Sequence, residues 1–296
     1  MEIWELKQRQ SLPLEAKIKL SLDRIKKFHD YFNGNIYISF SGGKDSTVLL
    51  NLVRSLYPKV PAVFVNTGLE YPEIVEFVKT KKNVIWLKPK MNFKDVIEKY
   101  GYPVVSKEVS RAIYEIRNAN QNTKNTRLYG DSRGNGKMSM KWRYLINAPF
   151  KISNSCCNVI KKRPLKIYNK ETNFKPIVGM MAGDSRRRQF VYLQNGCNTF
   201  DINNPMSNPL MVWLEKDIWD YIKKYNIPYS SIYDKGYHRT GCMFCMFGVH
   251  LEEKPNRFQL MEKTHPKLYK YCMENLGCKK VLDYIGVKVT KDKLLF

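Results

Sequence analysis

Two groups of residues in this 296-residue chain have the types and spacing to do chemistry. The first is Ser39-Phe40-Ser41-Gly42-Gly43-Lys44-Asp45-Ser46. Adjacent glycines let the backbone approach an oxyanion closely, successive N–H groups make an anion nest, and a following helix adds partial positive charge. Lys44 contributes a full charge, and Ser41 and Ser46 contribute hydroxyl donors. The stretch is not a Walker loop, Gly-x(4)-Gly-Lys-Ser/Thr, because Ile38 stands where its first glycine would be and Asp45 follows Lys44. The second group is the cysteines, with Cys156-Cys157 adjacent and Cys242-Met243-Phe244-Cys245 far downstream. Two thiols on each of two segments are the minimum for a four-thiolate site. A Cys-x-x-Cys pair alone serves zinc, redox and iron–sulfur chemistry alike, and the adjacent pair is the more discriminating feature.

The elements that must position these groups are readable from the pattern. Ile36-Tyr37-Ile38 suits a buried strand and Thr47 to Val53 a helix, so the glycine turn sits between strand and helix. Ala62-Val63-Phe64-Val65 reads as a second strand ending in Asn66-Thr67-Gly68-Leu69-Glu70, and Val84-Ile85-Trp86-Leu87 as a third. Polar groups past the carboxyl end of a parallel strand are where open α/β sheets hold ligands. Helices are expected over 92–100 and near 107–117, with Ser106 and Lys107 at the start of the latter. Pro176 to Met181 is a further strand, followed by Arg186-Arg187-Arg188, whose forked guanidinium donors suit an oxyanion. Leu14, Ile18, Leu22, Ile25, Phe28 and Phe32 mark an N-terminal helical element over residues 1–34. Residues 118–140 are rich in Asn, Gly, Lys and Arg and read as a mobile basic loop. Pro255 to Leu276 reads as helix and residues 281–296 as a tail. The organisation expected is 1–34, a nucleotide-binding domain over 35–250, and a helical extension over 251–296.

Composition bounds the function. Hydrophobic residues make up 43% and aromatic residues 13%, which argues for a globular protein. The start, Met-Glu-Ile-Trp-Glu, lacks a signal peptide's basic and apolar regions and no apolar run is long enough to span a membrane, so a cytoplasmic protein without a membrane partner is expected. In such a compartment seven cysteines do not suggest a disulfide frame. The net charge of +24 favours a polyanionic partner or substrate.

The glycine turn resembles the pyrophosphatase loop (PP-loop, Ser-Gly-Gly-x-Asp-Ser) of enzymes that cleave ATP between its α and β phosphates. The cysteine pairs resemble those of adenylylsulfate reductases, in which four cysteines bind one 4Fe-4S cluster; that resemblance implies Cys156, Cys157, Cys242 and Cys245 as cluster ligands, with zinc as the alternative. Together with Trp213-x(3)-Asp217-Ile218-Trp219-x-Tyr221-Ile222 and Ile227-Pro228-Tyr229, these motifs place residues 35–250 close to the phosphoadenylylsulfate reductase family. The resemblance implies a Rossmann-like parallel sheet of about five strands with helices on both faces. It also implies nucleotide contacts at Asn66, Thr67, Gly68 and Glu70 beside those of the turn and the three arginines.

Two departures shift the expected chemistry. Sulfonucleotide reductases carry an altered loop without the lysine and second serine, which this chain keeps as Lys44 and Ser46. They also carry a nucleophilic cysteine in a C-terminal Glu-Cys-Gly-x-His segment, where this chain ends Lys291-Asp292-Lys293-Leu294-Leu295-Phe296. The expectation is therefore ATP, with Ser39, Ser41, Gly42, Gly43, Lys44 and Ser46 on its phosphates and Asp45 with Mg2+ organising pyrophosphate departure. The acceptor is expected to be nucleic acid, tRNA or DNA, adenylated and then thiolated. Sulfur would come from a donor protein such as a cysteine desulfurase or through Cys197, Cys272 or Cys278; each of these three reads as a small buried side chain, with partial exposure of Cys278 after Gly277 as the alternative. The alternatives are a sulfonucleotide reductase and a non-catalytic nucleotide-binding regulator.

Overall fold

The computed structural model describes residues 2–201 and 203–289. Its strands are Ile36–Ser39 (β1), Ala62–Val65 (β2), Val84–Leu87 (β3), Val104–Val105 (β4), Lys175–Val178 (β5), Asn198–Thr199 (β6), Met206–Ser207 (β7) and Met246–Phe247 (β8). Six of them form one sheet in the order β3-β2-β1-β5-β7-β6. The sheet is parallel except for β6, which runs antiparallel to β7 at the edge, so the fold is α/β with six strands rather than the five expected. β1 lies in the interior of the sheet, with Ser39 paired to Val63 on one side and Val178 on the other. Apolar side chains on both faces of such a strand are removed from water, which is why Ile36, Tyr37 and Ile38 read as a continuous run.

The chain divides into two compact units. The first comprises residues 1–66, 71–88 and 164–240 and contains the six-stranded sheet. Helix Lys44–Leu56 follows β1 and buries Val48, Leu49, Leu52 and Val53. Helix Leu14–Tyr31 packs against it, and of the expected apolar stripe Ile25 and Phe28 are fully buried. Lys17, Ser21, Ile25 and Phe28 are buried, while Leu14, Ile18 and Leu22 are half-buried. The polar members are satisfied: Lys17 Nζ donates to Asp217 Oδ2 at 2.6 Å, and Ser21 Oγ donates to the Pro209 carbonyl and accepts from Trp213 Nε1. A separate short helix, Ile3–Gln10, precedes it.

The second unit comprises residues 67–70, 89–163 and 241–296, of which the structure describes those up to 289. β4 and β8 pair in parallel within it, beside buried Ile113, Leu145, Ile160, Phe258 and Leu282. The stretch expected to be a mobile loop contains helix Gln121–Tyr129, capped by Asn120 accepting from the Thr123 amide. That helix buries none of its residues, so no apolar periodicity announced it. The helix expected over 255–276 breaks at His265-Pro266, where the proline starts a new segment. Helix Cys278–Tyr284 occupies the start of the expected tail, whose residues from 290 onward lie outside the described ones. Among the described residues no helix is long and apolar enough to cross a membrane.

Candidate active site

The glycine turn closes on itself at the carboxyl end of β1. Gly42 adopts φ +74°, and a methyl there would come within 2.8 Å of the Ile74 and Val78 side chains. Only glycine suits both demands. Gly43 caps helix Lys44–Leu56 with an extended backbone, and its carbonyl accepts from Ser46 Oγ at 2.9 Å and Thr47 Oγ1 at 3.0 Å. Ser46 Oγ also receives the Ser41 amide at 3.2 Å and lies 3.1 Å from Ser41 Oγ. Gly179, just beyond β5, gives this helix room, since a methyl there would lie 3.1 Å from the Asp45 carbonyl oxygen.

Lys44 is 4% exposed and is held over the turn. Its Nζ donates to the His238 carbonyl at 2.9 Å and lies 3.2 Å from Glu215 Oε1. Its backbone N–H, one of the unpaired donors of a helix start, donates to the Tyr233 hydroxyl at 2.7 Å. Tyr233 is seated by edge-to-face contacts with Trp219 and Tyr229, and its hydroxyl lies 3.3 Å from Thr240 Oγ1. Asp45 is different: burial pushes its carboxyl pKa up against the pull of Lys44, whose Nζ lies 3.8 Å from Asp45 Oδ1, and that oxygen makes no hydrogen bond. A buried carboxylate oxygen without a hydrogen bond, beside a phosphate nest, is the donor a hard divalent cation takes, so the residues fit Mg2+.

Arg188 is the one member of the arginine run that acts on this turn. It pairs with Asp184 and lowers the cost of the Asp45 charge. Ser185 caps the helix Arg186–Asn195 that carries all three, while Arg186 and Arg187 point into solvent. Asn66 stays in the first unit, its amide bound to the Leu87 carbonyl. His238 contributes its backbone carbonyl to Lys44. Tyr233, Thr240, Glu215 and Asp184 were not among the expected site residues, because nothing in their spacing relates them to the glycine turn.

Thr67, Gly68 and Glu70 belong to the second unit with the cysteines. Glu70 accepts from the Thr67 amide and hydroxyl at 2.9 Å, and the Leu69 carbonyl accepts from the Met243 amide at 2.8 Å. This ties the 67–70 turn to the Cys242–Cys245 loop, itself closed by the Cys245 amide donating to the Cys242 carbonyl at 3.0 Å. Lys161 lies 4.0 Å from Glu70 Oε1. Burial pushes the Lys161 ammonium down, but Cys242 and Glu70 outweigh it and hold it protonated. Cys156 and Cys157 share a hydrogen bond that pushes Cys156 up and Cys157 down, helped for Cys157 by the charges of Lys107, Lys161 and Lys162. Burial pushes Cys242 up to about 11 and raises Cys245 as well. All four thiols act on one another electrostatically, and residues Cys157–Lys162 form a π-helical segment of the kind frequent at functional sites. Among the described residues no three His, Cys, Asp or Glu side chains converge as a metal-holding group. The donor set still fits a thiolate-ligated metal by chemistry: four cysteines in one unit, with the charges of Lys107, Lys161 and Lys162 favouring thiolate at Cys157.

The remaining cysteines are buried. Cys272 and Cys278 are 0% exposed and Cys197 7%, which agrees with their reading as small buried side chains and removes the alternative of a partly exposed Cys278, which opens helix Cys278–Tyr284. Val105 adopts φ +59°, a strained conformation for a β-branched residue, immediately before Ser106, which caps the helix starting at Lys107.

The sequence profile of the phosphoadenosine phosphosulfate reductase domain matches residues 35–130 and 81–247. The chain belongs to that family, and is thereby a nucleotide-binding enzyme of the PP-loop kind. An uncharacterized protein of Methanocaldococcus jannaschii, MJ0973, is 28% identical over 86% of the chain, which spans only 52% of that relative's length. The adenosine 5'-phosphosulfate reductase of Geobacillus kaustophilus is 25% identical, with 82% of this chain and 86% of that one covered. Among solved structures, the phosphoadenylyl-sulfate reductase of Candida auris aligns with 82% of this chain and 96% of its own at 15% identity and a TM-score of 0.47.

Proposed function

We propose that the protein cleaves ATP between the α and β phosphates to adenylate an acceptor, nucleic acid by its charge, for replacement of oxygen by sulfur. The observation that carries this reading is Lys44, buried at the start of the helix after β1 and held by a carbonyl and a half-exposed carboxylate. A lysine so placed exchanges Glu215 for a phosphate oxygen at little cost, and a sulfonucleotide has no β–γ pyrophosphate for it to hold.

In this reading the amides and hydroxyls of Ser41 to Ser46 orient the phosphates. Release of the Lys44 amide by Tyr233 opens the helix N-terminus to the same anion. Asp45 would hold Mg2+, which supplies charge to the leaving pyrophosphate. The acceptor oxygen displaces pyrophosphate from the α phosphorus, and a sulfur nucleophile from a donor protein then displaces AMP from the acceptor. Arg186, Arg187 and Arg188 lie on a helix start able to meet the nucleotide or acceptor phosphates. Cys156, Cys157, Cys242 and Cys245 would hold a 4Fe-4S cluster, which contributes electrostatic or redox chemistry when bound.

The second reading, a sulfonucleotide reductase, is favoured by the name of the Geobacillus relative. It would need a thiol nucleophile, and Cys278 is fully buried. One assay separates the two. Anaerobically reconstituted protein incubated with ATP is expected to release pyrophosphate, faster with nucleic acid present, and Lys44→Ala is expected to lower that release at least ~100-fold. Sulfite release from adenylylsulfate without pyrophosphate release from ATP would establish the reductase instead, and ATP binding with neither product would leave the regulator.

A further inference from the structure

Residues 107–143 carry nine Lys and Arg against three Asp and Glu, and neither the glycine turn nor most of the cysteine site uses them. Five of the nine are committed. Arg117 donates to four carbonyls, those of Leu145, Ile146, Ala148 and Phe150. Arg111 and Arg127 pair with Glu115, Arg143 donates to the Leu128 carbonyl, and Lys107 acts on Cys157. These bonds pin the segment that the sequence presents as mobile. Asp131 adds to them by accepting from the amides of Arg133 and Asn135. Among the described residues the side chains of Lys124, Arg133 and Lys137 make no ion pair, and Lys141 lies 5.1 Å over the Trp142 ring.

On this pinned frame stands a row of rings. Trp142 and Tyr144 have centroids 6.2 Å apart at 38°, and Tyr144 and Tyr284 lie 5.8 Å apart at 33°. Tyr144 is 43% exposed and Tyr284 39%. His250 packs edge-on under Trp142 at 5.1 Å and holds it in place. Half-exposed rings held in this way, with Lys141 over Trp142 and further cations without ion pairs on the same 107–143 segment, have a specific complement. Planar bases stack on the rings while the phosphates between them meet the cations.

We propose that Trp142, Tyr144 and Tyr284, with Arg133, Lys137 and Lys141, form a docking surface for single-stranded nucleic acid. A duplex keeps its bases stacked on one another and offers the rings nothing, so the partner is an unpaired strand or loop. An acidic peptide would satisfy the lysines but not a row of tilted ring faces. The proposal deepens the reading of a nucleic-acid acceptor and rests on it for the partner's chemistry.

The test is anisotropy of a fluorescein-labelled poly-uridine oligonucleotide with the full-length protein. Trp142→Ala with Tyr144→Ala is expected to weaken binding at least about 10-fold without changing the salt dependence. Lys137→Glu with Lys141→Glu weakens it and flattens the log–log salt slope by about 1.4 or more. Trp142→Phe, which keeps a ring, binds nearly as the native protein. No binding by the native protein, equal binding by the double aromatic variant with native-like circular dichroism, or equal affinity for a duplex would overturn the surface. Loss of binding in the aromatic variant while native pyrophosphate release ignores the oligonucleotide would keep the surface and remove the acceptor reading.

Discussion

Gly42 and Gly43 are neighbours in sequence with different physical duties. Gly42 has a left-handed backbone and two aliphatic side chains where its Cβ would be. Gly42→Ala is expected to destabilise the protein by about 1–3 kcal/mol, read as a lower denaturant midpoint at unchanged slope. Gly43 has φ −77°, which alanine adopts freely, and its Cβ would meet side-chain oxygens of Thr240, Tyr233 and Ser41 at 2.7, 3.3 and 3.4 Å. Gly43→Ala is therefore expected to keep the midpoint nearly unchanged while weakening ATP binding in titration calorimetry. An unchanged ATP affinity would show that nucleotide does not reach this turn. Both glycines are legible in the sequence as a phosphate turn; the division of labour between them is not, because Ile74, Val78 and Thr240 are distant in the chain.

At the scale of elements, strands and helices around the turn follow from short apolar runs and glycine and proline punctuation. The exceptions are instructive. The helix over 14–31 buries Lys17 and Ser21 because partners nearly two hundred residues away satisfy them, which no local pattern encodes. Asp217 both receives Lys17 Nζ and accepts from the Leu214 amide at 2.7 Å, so it joins this helix to the start of helix Glu215–Lys224. Lys17→Met is expected to cost about 3 kcal/mol by thermal or chemical unfolding, since it leaves a buried carboxylate without its cation. Adding Asp217→Asn to it is expected to restore part of that loss, because the amide oxygen still accepts from Leu214. The helix Gln121–Tyr129 escaped the pattern for the opposite reason: it stands on a cap and an ion pair and buries none of its residues.

At the scale of the whole molecule, the two compact units carry different chemistry. The sheet unit holds the phosphate turn, and the second unit holds all four candidate ligand cysteines. If these cysteines bind one cluster, Cys156→Ser and Cys242→Ser are each expected to abolish the brown absorption and acid-labile sulfide of anaerobically purified protein. Stoichiometric zinc without sulfide would assign the site to zinc.

By itself, the amino-acid sequence determined the phosphate turn, its strand and helix and the family, because glycine turns and apolar runs act through neighbours within a few residues. The same locality let it mark the cysteines as a possible metal set. Only the tertiary structure decided what surrounds those groups. Tyr233 and Glu215 meet Lys44, Glu70 and Lys161 stand beside Cys242, and Trp142, Tyr144 and Tyr284 form one row. These contacts join residues whose separation in the chain carries no period, and they exist only once burial and hydrogen bonding have folded the chain back on itself.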